Sequence, residues 1–170
     1  LAQYLRADNA TLDAAQLWAE LAPNNVEARY SAATILAKNK RPLEALPHME
    51  AVLRGGGKTN FAAIVANALQ QPLDQLAAVE QAVDQLLLQY PSQTQLLTSK
   101  ALILQQRGAT EQALTLIQQV LTIDTSDMHA VVVEARLLSQ LKRFDQSLLR
   151  LQRAVASQPK NRRLRLEYAR

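Results

Sequence analysis

Residues of like character recur every 34 positions along this chain. Ala33, Ala101, Ala135 and Ala169 share one column, with Asn67 in the remaining slot. Leu1, Ile35, Leu69, Ile103 and Leu137 form an apolar column, and Pro23, Pro91 and Pro159 form a third, with Gly57 and Thr125 between them. A period of about 34 residues is the length of a helix–turn–helix unit that cannot bury its own apolar face and must stack on copies of itself. The period therefore constrains the chain to an all-α stack of antiparallel helix pairs and argues against catalysis.

Within each unit the apolar residues fall at helical spacing in two runs. Ala28, Ala32, Ile35 and Leu36 mark a first helix over 26–38, and Leu46, Met49, Val52 and Leu53 mark a second over 43–54. Added periods place further pairs at 94–106 and 111–123, then at 128–140 and 145–157. Asn25, Thr59, Asp127 and Asn161 precede the first helices in one column that Gln93 completes; all but Gln93 are good N-caps. The proline column follows the second helices, where a residue unable to continue a helix serves as a stop.

The unit at 60–93 departs from the pattern. Pro72 should end its first helix early and leave the second to run from about Leu73 to Tyr90, and Gly55, Gly56 and Gly57 should end the helix before it. This joint is expected to alter the curvature of the stack, and Pro47 is expected to kink its helix. Leu1 and Arg170 both fall inside first-helix columns, so the chain is expected to be a fragment of a longer repeat protein. It reads as a single solenoid with a partial repeat at 1–25, repeats at 26–59, 60–93, 94–127 and 128–161, and a partial repeat at 162–170.

The chain is 48% hydrophobic and 20% charged, a balance compatible with a packed core rather than disorder. Only 4% is aromatic, and the Ala- and Leu-rich remainder favours close-packed helices. No apolar run approaches the roughly 18 residues of a membrane span, and no signal segment opens the chain. The absence of cysteine excludes disulfides and thiol chemistry. Charge is uneven: from Glu134 to Arg170 ten Lys/Arg face three Asp/Glu, whereas the rest holds nine against twelve. No stacking aromatics interleave with these cations, so a solvated basic face is favoured over a nucleic-acid site.

These columns resemble the tetratricopeptide repeat family. The likeness rests on the small residues Ala33, Ala101, Ala135 and Ala169 in the first helices, and on Ala45, Ala113 and Ser147 where the second helix approaches. The large apolar column Met49, Val83, Ile117 and Leu151 and the terminal prolines complete it. The resemblance implies a right-handed superhelical solenoid whose concave groove holds segments of protein partners.

Several residues invite catalytic or ligand-binding readings. Gly57-Lys58-Thr59 has the end of a phosphate-binding loop, but Val52 stands where that motif needs glycine and a helix precedes it instead of a strand. Neither His48 nor His129 has a second ligand at helical spacing, and Asp124 and Asp127 read as turn and cap residues. Trp18 reads as core, beside Leu12 and Ala15. The chain is thus expected to have no catalytic residue, cofactor or metal, and not to be an enzyme.

The remaining candidate is the stripe formed by first-helix residues three or four apart. It takes Glu27, Tyr30, Thr34 and Ala37, then Phe61, Ile64, Ala68 and Gln71, then Gln95, Thr98, Leu102 and Gln105. It continues through His129, Val132, Arg136 and Ser139 to Arg163, Leu166 and Arg170. Within it, Tyr30, Thr34, Phe61, Ile64, Ala68, Thr98, Leu102, Val132, Arg136 and Leu166 are the expected partner-binding residues. Ile64, Leu102, Val132 and Leu166 have little reason to face water unless something covers them. The lysine/asparagine clamp by which some tetratricopeptide domains hold chaperone C-termini is missing, so an apolar or extended protein segment is the expected partner.

The stretches 17–25, 99–117 and 163–170 resemble a family of pseudomonad tetratricopeptide lipoproteins. The resemblance implies attachment at the outer membrane through an anchor outside this chain, and a periplasmic role as adaptor between a carboxyl-terminal processing protease and its substrates. The cytoplasm is the alternative location. Two other readings are a structural module assembling through its ends, with self-association, and an accessory domain whose basic end meets an anionic surface.

Overall fold

A computed structural model describes residues 2–169, with the side chains of residues 2–9 and of Arg163 left aside. Leu1 and Arg170, cited above for their columns, lie outside the described residues. Ten α-helices and no strands occur among the described residues: α1 (Ala2–Leu21), α2 (Val26–Lys38), α3 (Pro42–Arg54), α4 (Phe61–Ala68), α5 (Leu73–Gln89), α6 (Thr94–Gln106), α7 (Thr110–Ile123), α8 (Met128–Gln140), α9 (Phe144–Ser157) and α10 (Arg162–Tyr168). The regular units begin and end within one residue of the bounds the period sets. The irregular unit has the expected short first helix, α4, and long second helix, α5.

Two kinds of turn alternate. Where α2, α6 and α8 pass to the next helix, Lys40, Gly108 and Lys142 take left-handed φ values of 59°, 77° and 60°. In each case the next amide reaches back to the helix: Arg41 to the Leu36 carbonyl, Ala109 to Leu104 and Arg143 to Leu138. This is the Schellman closure, which satisfies carbonyls that have no partner inside the helix. The return connections are four-residue turns closed by Asn25 to Ala22, Gln93 to Tyr90, Asp127 to Asp124 and Asn161 to Gln158. Pro23, Pro91 and Pro159 occupy the second place in three of them, where a fixed φ suits the turn. The closing residue then caps the next helix: Asn25 accepts from the Ala28 amide at 3.0 Å and Asp127 from Ala130 at 3.0 Å.

One local expectation, the cap of the irregular unit, is corrected. The cap of α4 is Asn60 and not Thr59, and its side chain makes no capping bond. Helix α3 continues through Pro47 to Arg54. Helix α1 runs unbroken through Arg6, the period-mate of Lys40, because no glycine or proline between Leu5 and Asn9 ends it.

The chain divides into two compact units, Leu1–Gln85 and Leu86–Arg170, with the boundary inside α5 of the irregular repeat. In the first, α2 packs on α1 and α3, and α4 packs on both α2 and α3. In the second, α6 through α9 pack in succession and α10 rests on α8 and α9. The small-residue columns allow this close packing: Ala33, Ala101, Ala135, Ala45 and Ala113 are buried, as are Met49, Val83, Ile117 and Leu151. Ser147 is buried too, its hydroxyl donating to the Ala135 carbonyl on the facing helix at 2.7 Å.

Trp18 is not core. It is 43% exposed, next to exposed Leu17 and Leu21, whereas Leu12, Ala15 and Ala19 are buried. The face of α1 turned to α2 is the one carrying 12, 15 and 19, and Trp18 lies off its edge.

Candidate protein-binding surface

The first-helix stripe is not one continuous surface. Phe61, Ile64, Ala68, Thr98 and Val132 are buried, Thr34 and Leu102 are half-buried, and Tyr30, Arg136 and Leu166 are exposed. The expectation that Ile64 and Val132 face water is therefore corrected. On α4 only two turns of an almost wholly apolar sequence are available, and Phe61, Ala62, Ile64, Val65 and Ala68 all turn inward. Val132 belongs to the core of the second unit, because α8 is packed by α7, α9 and α10 and little of its circumference is left to solvent. Thr98 is accommodated by donating its hydroxyl to the Thr94 carbonyl at 2.8 Å. Arg163 and Arg170 of the stripe fall outside what is described.

Among the exposed members, Arg136 is committed within the chain. Its Nε and Nη2 donate to the two carboxylate oxygens of Glu167 on α10 at 2.6 and 2.7 Å, a bidentate pairing that raises the arginine's pKa against the opposing effect of burial. Arg143 pairs with Glu111 and Arg150 with Glu134. Part of the basic excess seen in the sequence is therefore neutralised by neighbouring helices.

Beside this ion pair opens a pocket of about 750 Å³ in the second unit. Its walls are Phe144, Leu148 and Leu151 of α9, Ala135, Arg136, Ser139 and Gln140 of α8, Gln105 of α6, and Glu167 and Tyr168 of α10. Phe144, Leu148 and Tyr168 are exposed. Sequence reasoning missed them because Leu148 reads as core: its period-mates Leu46 and Leu114 are 2% and 3% exposed, while Leu148 is 53% exposed. Leu151 and Ala154 on α9 are buried, but Phe144 and Leu148 nearer its start are not.

The rim is polar and largely self-satisfied. Gln105 donates its side-chain amide to the Gln140 side-chain oxygen at 3.0 Å, and Ser139 donates to Ser147 at 2.9 Å. An apolar floor within such a rim suits the anchoring of an apolar side chain from another protein. Among the described residues no group of three or more His, Cys, Asp or Glu is placed to hold a metal ion, and no helix is long and apolar enough to cross a membrane. Gly57-Lys58-Thr59 follows a helix end: Gly57 donates to the Val52 carbonyl at 2.9 Å, closing α3.

Comparison with known proteins agrees with this architecture. A tetratricopeptide repeat family model matches residues 104–170. A TPR repeat-containing protein of Pseudomonas aeruginosa is 39% identical across 99% of this chain, and the chain spans 28% of that relative's length. A thermophilic TPR protein of Thermus thermophilus superposes with a TM-score of 0.69 at 19% identity, covering 99% of this chain and 92% of the other. YrrB, described as a TPR protein with an unusual peptide-binding site, superposes at 0.57 and 19% identity, covering 97% and 86%. Likenesses at such identities carry the fold alone. The 34-residue helix pairs, their small-residue contacts and these matches give the chain the fold of tetratricopeptide repeat proteins, with the family's repeat model covering residues 104–170. Its fold is that of a protein–protein interaction scaffold, and proteins of this family are generally non-enzymatic.

Proposed function

We propose that this chain is part of an adaptor that holds an apolar or extended segment of another protein in the α8–α10 pocket and along exposed Leu166. The observation that carries this reading is the exposure of Phe144, Leu148 and Tyr168 in one recess, with Leu166 exposed on the same helix as Tyr168. Large apolar side chains grouped in a concave site mark an interaction surface. A finer reading rests on the resemblance of stretches 17–25, 99–117 and 163–170 to pseudomonad tetratricopeptide lipoproteins. In it the partner is a periplasmic carboxyl-terminal processing protease or its substrates, and the full-length protein is a lipoprotein held at the outer membrane by an anchor outside these residues. Affinity capture from the native host with the full-length protein tests this: Leu148→Asp and Leu166→Asp should lose the protease while helical content is unchanged. Capture that survives both substitutions, or that recovers no protease, sinks the reading.

A second reading has its own support. Exposed Leu17, Trp18 and Leu21 on α1 form an apolar face remote in sequence from the pocket, which favours self-association there. Analytical ultracentrifugation of wild type and Trp18→Asp, compared over concentration, decides it; identical monomeric profiles exclude it.

A further inference from the structure

We infer that Arg29 and His48 form an acid-released latch that fixes the α1–α2 turn to α3. The Arg29 guanidinium, on α2, donates through Nε to the Pro23 carbonyl in that turn at 3.0 Å and meets His48 Nδ1 on α3 at 3.2 Å. Arginine offers donors and no acceptor. The contact is a hydrogen bond only when Nδ1 carries a lone pair, which assigns the proton of the neutral ring to Nε2. A second proton on the ring removes the acceptor and sets two cations face to face.

The repeat itself does not call for this pair. The column of Arg29 holds Ala63, Leu97, Val131 and Arg165, and that of His48 holds Ala14, Ala82, Leu116 and Arg150, so no other unit pairs an arginine with a histidine at these positions. The charged groups facing the ring are Arg29 from α2, Glu20 from α1 and Glu44 from α3; α4, which also packs on α3, has no titratable side chain. Burial of the ring and the Arg29 charge hold the histidine below its ordinary pKa, against the pull of Glu20 and Glu44. The direction of the pH effect follows. Above the ordinary value the ring is neutral in folded and unfolded chains alike, and the latch contributes fully. As pH falls toward the lowered folded value, the unfolded chain takes up the proton first and stability declines. Below the folded value the latch is open, with the protonated ring left to Glu20 and Glu44.

NMR titration and amide exchange on the whole chain test the proposal. His48 should titrate below its ordinary value, and Arg29→Gln should move it upward. The Asn25 amide, which closes the turn on the Ala22 carbonyl, should exchange several-fold faster at pH about 5 than at about 7.5 after correction for intrinsic chemistry. In His48→Gln, which keeps an acceptor at every pH, that ratio should fall to unity. A wild-type His48 titrating at or above its ordinary value overturns the latch. So does corrected Asn25 exchange that ignores the titration, and neither readout depends on a variant that folds.

Discussion

Lys40 and Lys142 hold the left-handed turn position that Gly108 holds in its own unit, with the same pair of back-bonds to the helix behind. A side chain with a Cβ is strained there by about 1–2 kcal/mol. Lys142→Gly should therefore stabilise the chain by about 1 kcal/mol, read as a rise in urea midpoint, and Lys40→Gly should act alike. Of the three glycines after α3, Gly56 and Gly57 differ in kind. Gly56 has a φ of +72° and open space around its Cβ direction, so Gly56→Ala carries only the conformational cost, about 1 kcal/mol. A Cβ on Gly57 would lie 2.4 Å from Val26 Cγ1 and 2.8 Å from Val52 Cγ1. Gly57→Ala should then cost more, about 1–3 kcal/mol from overpacking, and thermal melts of the two variants should rank accordingly. Gly108 is a residue type that favours its turn position, whereas lysine at 40 and 142 gives no local sign of a positive φ.

Helix ends were the most legible elements, because capping and turn bonds join residues three to five apart. Asp127 is the clearest case: Asp127→Ala should lower stability by about 1 kcal/mol in chemical denaturation. Thr59→Ala should have almost no effect, since the start of α4 falls at Asn60. A misplaced cap in the one irregular unit is instructive. The period carried the column to residue 59, but the glycine run before it and Pro72 after it set the local frame of α4 independently of the neighbouring repeats. Pro72 was decisive by itself: it cannot donate to the preceding turn, so α4 stops at Ala68 and α5 begins immediately afterward.

At the scale of the whole molecule the chain forms two compact units that meet within α5, where the repeat is least regular. This scale separates two substitutions that look equivalent on a helical stripe. Val132→Asp places a carboxylate at a position that is 0% exposed within the second core and should unfold that unit, seen as lost helicity. Leu148→Asp alters an exposed pocket wall and should leave circular dichroism unchanged while partner capture fails. If Leu148→Asp melts the unit as Val132→Asp does, the pocket is core and not a binding surface.

The 34-residue period, the small-residue columns and the proline and cap residues determined by themselves that this is an all-α chain of helix pairs, and where nearly every helix starts and stops. Those properties depend on contacts between near neighbours in sequence or on a pattern repeated from unit to unit. Only the tertiary structure decided which side of each first helix is covered. Tyr30, Thr98 and Val132 share one column, yet the first is exposed and the other two are buried. Leu46, Leu114 and Leu148 share another, and of the three only Leu148 is exposed. Burial is set by what packs across from a residue, and the period that opens this chain to reading repeats residues without repeating their neighbours.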